Sequence, residues 1–213
     1  MLHDLYTPEG ETLTGTPWDI YPRPQLRRNS YVNLNGDWEF GVGSNTFPKN
    51  FDKSIRAAVC PASDLSAIQG PFPEGCALAY RKTFSLPEDF RIGRVLLHIG
   101  AADQHLYCFV NDKKIGCHTG GYTAITFDIT DALVDGENEI KFRCHDDLNN
   151  QIHPYGKQTL KRGGMWYTPV SGIWQTVWLE SAPEVYIEDL DIQVDLNKAV
   201  VTTTPALDGT VLC

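Results

Sequence analysis

Period-two alternation of apolar and polar residues, restarted about every ten residues, constrains this chain more tightly than any other feature. In NEIKFRC, Ile140, Phe142 and Cys144 alternate with Glu139, Lys141 and Arg143, which sets one face inward and the other outward. In QHLYCFVNDKKIGCHTGG, Leu106, Cys108 and Val110 alternate with His105, Tyr107 and Phe109, and Asn111-Asp112 then turns the chain. CALAYRKTFSLP reads as a strand ending at Pro87, RVLLHIG as a central strand, and AITFDIT as a further one. Asn35-Gly36, between the apolar runs of YVNLNGDWEFGVG, carries a hairpin signal. Thr130 is placed to cap a single helical turn in DALVDG. Helical periodicity is otherwise nearly absent. Many short strands with turn residues between them predict an all-β sandwich or barrel.

The stretch WYTPVSGIWQTVWLE, residues 166–180, departs from clean alternation. Its odd positions from Ile173 include Val177 and Leu179, and its even positions include Trp174 and Trp178. A half-buried strand has one polar face, whereas this one has large apolar groups on both. Core or interdomain packing is the expected role of Trp174 and Trp178. Residues 1–30 are polar and proline-containing and read as an extended arm.

Two segments break the rhythm. Residues 145–165, HDDLNNQIHPYGKQTLKRGGM, form a long polar loop without a strand pattern, and long loops in compact domains are commonly functional. After Pro183, VYIEDLDIQVDLNKAVVTTT reads as two or three alternating strands, too few for an independent core. The expectation is one domain over residues 1–182 and the first strands of a second, truncated β-domain over residues 183–213.

Composition narrows the function classes. With 42% hydrophobic and 21% charged residues the chain can bury a core. A net charge of -9 argues against nucleic acid and against an anionic membrane surface as partners. No apolar run reaches membrane-spanning length, and MLHDLYTPEG lacks the basic start and apolar stretch of a secretory signal, so a cytoplasmic location is expected. The six cysteines form no C-x-x-C pair, and free, mostly buried thiols are expected. His98, His105, His118, His145 and His153 are scattered without ligand spacing, so neither a metal nor another cofactor is expected. Gly120-Gly121 reads as a turn, with no strand–loop–helix context for phosphate.

Five motifs, LNGDWEF, AYRKTFSLP, VNDKKIGCHTGGYTAITFDIT, GENEI and MWYTPVSGIWQTVWLE, occur in an order and spacing that resemble the N-terminal sugar-binding domain of glycoside hydrolase family 2, the family of β-galactosidases, β-glucuronidases and β-mannosidases. The resemblance covers roughly residues 15–182. It implies a jelly-roll β-sandwich of the galactose-binding-like type, followed by an immunoglobulin-like sandwich and a TIM barrel that carries the two catalytic glutamates. On this reading the chain is a non-catalytic fragment of an enzyme that hydrolyses terminal β-glycosides with retention. Its partners are carbohydrate and the immunoglobulin-like and barrel domains of the same protein. A free-standing carbohydrate-binding module is the second reading, and a structural domain serving homo-oligomer contacts in the full-length enzyme is the third.

The resemblance also places candidate residues at the substrate cleft. Relatives carry an Asp six residues before the Gly of the G-I pair, where Trp166 stands here, and an Asn before P-x-G, where Phe72 stands. Trp166 and Tyr167 read either as a lip on the cleft or as packing between domains. Tyr155, Lys157, Gln158, Lys161 and Arg162 read as contacts to a hydroxyl-rich or acidic sugar, or as docking and solvated positions. Asp146, Asp147 and Asn149 complete the loop's candidates. Retention needs two carboxyls about 5 to 5.5 Å apart. Adjacent residues of an extended segment point apart, so Asp146-Asp147 is read as shaping the loop.

Overall fold

The computed structural model describes residues 8–44, 46–68, 72, 75–146, 152–161 and 163–208. Asp147, Asn149 and Arg162 lie outside them. The strands are β1 (Val32–Asn33), β2 (Gly36–Gly43), β3 (Lys53–Ala57), β4 (Ala77–Ser85), β5 (Arg94–Ile99), β6 (Ala102–Asp103), β7 (His105–Val110), β8 (Lys113–Thr119), β9 (Ile125–Asp128), β10 (Glu137–His145), β11 (Gly172–Ile173), β12 (Val177–Ala182), β13 (Tyr186–Asp195) and β14 (Val200–Asp208). One five-residue helix, α1 (Pro8–Thr12), precedes them. No helix of the described residues is long and apolar enough to cross a membrane.

Two antiparallel sheets make the body of the molecule. One has the order β3-β2-β4-β10-β7-β8, the other β1-β12-β5-β9. The inward positions predicted for β7 and β10 fill the space between the sheets. Leu106, Cys108, Val110, Ile140 and Phe142 are fully buried, and Cys144 nearly so. They meet Val95, Leu97, Ile99, Val177 and Leu179 of the second sheet in one core, with Trp38 stacked on Phe142 at 5.4 Å. Burying such side chains contributes roughly 1.5–3 kcal/mol each against chain entropy. The all-β sandwich read from the alternation is therefore the architecture found.

The second face of β12 and β5 is where the sequence posed its question. Leu96, His98, Trp178, Glu180 and Ala182 point away from the core, yet each is buried. The arm over residues 17–31 covers Trp178 and Glu180. Tyr21 and Tyr31 lie edge-on or tilted against Trp178 at 5.3 and 5.9 Å, and His98 stacks on it at 4.0 Å. Tyr186 at the start of β13 closes a small second cluster with Leu96 and Ala182.

Three local readings need correction. Asn35-Gly36 makes no hairpin: β1 pairs with β12 in one sheet and β2 with β3 and β4 in the other, so the pair is a crossing point between layers. The buried Asn35 side chain donates to Pro17 O and to Thr176 Oγ1 and accepts from Val177 N, and Gly36 takes φ +91°. Thr130 does not cap a helix. It opens a three-residue 3-10 turn, its amide donates to Asp128 Oδ1, and its hydroxyl accepts from Val95 N. The cysteines are free as expected, but of the five described only Cys108 and Cys144 are buried, while Cys60 and Cys76 are half-buried and Cys117 is exposed.

Candidate functional site

The long polar loop is held by its own backbone over residues 157–161 and 163–167. Tyr167 N donates to Lys157 O at 2.7 Å and Thr159 N to Tyr167 O at 3.0 Å, while Gly163 and Trp166 exchange amide bonds at 3.1 and 3.3 Å. These bonds spend the backbone of Trp166 and Tyr167 inward and leave both rings outward, 43% and 68% exposed. Large exposed aromatics side by side are uncommon on a soluble surface and point to a binding role. Met165 and Leu160 add exposed apolar surface on either side.

Gln158 ties this loop to the sandwich. Its side-chain oxygen accepts from Val170 N at 2.5 Å and its nitrogen donates to Tyr122 Oη at 3.2 Å. Lys157 is exposed beside it and Tyr155 half-buried. Asp146 accepts from Ser171 Oγ at 2.8 Å, so its carboxylate shapes the loop's base. Phe72 packs on the core: its half-buried ring lies 6.0 Å from Phe40.

Beneath the loop, sequence reasoning overlooked Asp103 and Gln104. Both are buried, and Asp103 Oδ1 and both side-chain atoms of Gln104 have no hydrogen-bond partner among the described residues. Burial, reinforced by the charge of Asp146, pushes the Asp103 carboxyl up to about 7, with a hydrogen bond to Gln158 opposing. A Cβ on Gly121 would stand 2.7 Å from that carboxylate, which is a physical reason for the second glycine of the Gly120-Gly121 turn. No periodicity marks these residues, because β6 is two residues long. Among the described residues no group of His, Cys, Asp or Glu is arranged to hold a metal ion.

The second polar centre lies under the arm. Glu180 has no exposed surface and accepts from Tyr21 Oη at 2.6 Å, Arg28 at 2.5 Å and His98 Nε2 at 3.0 Å, with Arg23 at 3.8 Å. A carboxylate partner fixes Nε2 of His98 as the donor, so Nδ1 accepts from Thr126 Oγ1 at 2.9 Å. Desolvation lowers the His98 pKa despite Glu180. Desolvation raises that of Glu180, but the bonds from His98 and Tyr21 outweigh it and leave the carboxyl below its ordinary value. Burial and the bond to Glu180 push Tyr21 up to about 12. The groups saturate one another, which makes this a structural clamp.

An all-β sandwich that orders an exposed aromatic loop on one sheet pair is the class these features define. The chain is similar to curated proteins named β-glucuronidase and β-galactosidase and to solved β-glucuronidases. No family model matches it. It is 34% identical over 151 residues to a β-glucuronidase of Paenibacillus borealis, covering 65% of this chain and 24% of that protein. It is 30% identical over 118 residues to a β-galactosidase of Thermoanaerobacter pseudethanolicus, covering 54% of this chain and 15% of that one. A solved β-glucuronidase from Ruminococcus gnavus, in complex with an N1-substituted uronic isofagomine, superposes with a TM-score of 0.68 at 20% identity, over 90% of this chain and 36% of that one. The chain thus spans less than a quarter of the length of these curated relatives.

Proposed function

We propose that this chain is the non-catalytic, carbohydrate-facing domain of a β-glycosidase, and that the loop at residues 152–170 helps to form the wall of that enzyme's substrate cleft. The observation that carries the proposal is the paired exposure of Trp166 and Tyr167 on a loop whose backbone is otherwise satisfied. Aromatic rings stack on the apolar C–H faces of pyranoses, and Lys157 beside them suits hydroxyl or carboxylate groups. The acid this loop describes, Asp146, is engaged by Ser171, which suits a structural role better than proton transfer.

The proposed domain division, residues 1–182 and 183–213, draws support from β13 and β14. They pair with each other and with no other strand among the described residues. Exposed Ile192, Val194 and Val201 suit a hairpin that begins a second β-domain. The jelly-roll reading and the immunoglobulin-like and barrel partners stand as part of the same proposal.

Nitrophenyl β-galactoside, β-glucuronide and β-mannoside offered to the purified chain test it: no turnover is expected, and turnover would overturn the non-catalytic assignment. In the complete enzyme, Trp166→Ala is expected to raise KM or lower kcat/KM by about tenfold, the loss of one stacking contact. Unchanged kinetics would remove Trp166 from the cleft.

A further inference from the structure

We propose a second carbohydrate site, outside the loop just described: the open cleft between the arm and the start of β12, which would hold a neutral pyranose. Trp18, Ile20, Tyr21, Trp174 and Gln175 line it, and its volume is about 580 Å³. That is room for one or two sugar rings within the usual span of small-ligand sites, roughly 300–1,000 Å³.

The placement of Trp18 is the first reason. Its indole is 68% exposed although the arm around it is pinned. Asn35 Nδ2 donates to Pro17 O at 3.0 Å and Asn33 Nδ2 donates to Trp18 O at 3.3 Å. Trp18 itself takes φ +57°, a left-handed conformation that a bulky residue adopts only when its surroundings impose it. Two asparagine side chains therefore hold a strained backbone that presents a tryptophan to solvent. A ring needed only for the core would turn inward.

The opposite wall is fixed as well. Trp174 donates its indole N–H to Gly121 O at 2.9 Å and meets Tyr122 edge-to-face at 6.2 Å. With its one polar group engaged, it offers the cleft an apolar face. Gln175 supplies the polar contact. Its side chain lies against Gly100, where an added Cβ would come within 2.9 Å of its side-chain carbonyl oxygen. A carboxamide donates and accepts at once, which matches adjacent sugar hydroxyls.

Among the described residues no charged side chain lines the cleft. A uronic acid would find no counter-ion there, so the ligand class is a neutral hexopyranoside. Trp174, Tyr122 and Gln158 connect this cleft to the loop carrying Tyr167, so a glycan chain could run from one to the other. The site shares only its ligand class with the function proposed above and stands on its own geometry.

The test is indole N–H NMR of the chain titrated with cellobiose, lactose, mannobiose and glucuronic acid. At least one neutral disaccharide is expected to shift the Trp18 and Trp174 signals saturably. Trp18→Ala and, independently, Gln175→Ala should each weaken that binding by about tenfold or more, while Trp18→Phe retains most of it. Thermal unfolding of each variant confirms that it is folded, and Trp166→Ala should leave these shifts unchanged. The proposal fails if no neutral disaccharide gives a saturable shift, if binding survives Trp18→Ala, or if glucuronic acid binds equally well there. It fails too if the two signals shift with protein concentration alone, which would assign the cleft to a second copy. Shifts lost in Trp166→Ala but kept in Trp18→Ala would overturn it while supporting the loop as a sugar site.

Discussion

Glu180 shows how one residue organises a region. It is fully buried and ionised because three donors converge on it, Tyr21 and Arg28 from the arm and His98 from β5, with the Arg23 guanidinium at 3.8 Å adding its charge. Replacing it with Ala leaves an arginine and a histidine facing an apolar gap, at a cost of about 3–5 kcal/mol in denaturant unfolding. A change within a few tenths of a kcal/mol would mean that the clamp breaks even with solvation. The pH response has a definite sign. His98 and Glu180 both have folded-state pKa values below their ordinary ones, so the unfolded chain binds more protons. Stability contributed by these groups is present above about pH 6.5 and falls first as His98 is forced to protonate, then further as pH drops below about 4.5. Asp103 has the opposite sign. Its carboxyl is raised to about 7, so its contribution is complete at low pH and is lost as pH rises through neutrality. Asp103→Asn should therefore raise the thermal midpoint at about pH 8 and leave it nearly unchanged at about pH 4. Equal midpoints at both would show that Asp103 is solvated. Neither centre was readable from the sequence. The alternation marks Glu180 only as an outward position of β12, and nothing local says that an arm from 150 residues earlier covers it.

At the scale of elements, the strands whose two faces differ were legible, and so was the β7–β8 hairpin. Its turn residues Asn111 and Asp112 have φ +48° and +63°, the paired left-handed geometry of a two-residue hairpin loop. Asn111 also donates to Ala132 O and Asn138 Oδ1 and accepts from Glu139 N, so it ties the turn to β10. Asn35-Gly36 carries the same dipeptide-level signal and was misread. Its partners Thr176 and Val177 lie far along the chain and convert the bend into a change of layer. The two-residue strands β6 and β11 were invisible, because alternation needs more residues than they have. Between them sits a sharp steric requirement. Gly172 has φ +72°, and a Cβ there would overlap the hydroxyl of Tyr80, which is fully buried and cannot retreat. Gly172→Ala combines backbone strain with overpacking and should cost about 3 kcal/mol. Gly172→Ala in a Tyr80→Phe background relieves only the contact with the hydroxyl, so a full recovery there would refute the backbone part of the argument.

For the whole molecule, the arm is expected from the sequence but its role as a cover is not. Its proline-rich, polar sequence gives no periodic signal, and its few contacts are long-range by nature. Yet it supplies the second cover of the four-stranded sheet, and it also reaches the β13–β14 hairpin. Arg28 donates to Ile187 O at 2.7 Å, and Arg23 donates to Glu188 O at 2.8 Å. On the other side of the hairpin's base, Arg94 of β5 pairs with Asp208 at 3.3 Å, and Tyr186 donates to the same carboxylate at 2.8 Å. The arm is thus one of two links between sandwich and hairpin, the other being Arg94 of β5, and its removal tests its share directly. Deleting residues 1–30 would uncover Trp178 and the Glu180–His98 pair in one step. The expected outcome is a sandwich that still folds around its main core but is less stable by several kcal/mol, about the sum of one buried indole and one broken ionic clamp. Dye binding should report the new apolar surface, and amide exchange in β5 and β12 should rise while that in β4 and β10 stays slow. Unaltered protection in β5 and β12 would show that the arm rests on the sheet without stabilising it. Loss of protection in both sheets together would instead make arm and sandwich one cooperative unit.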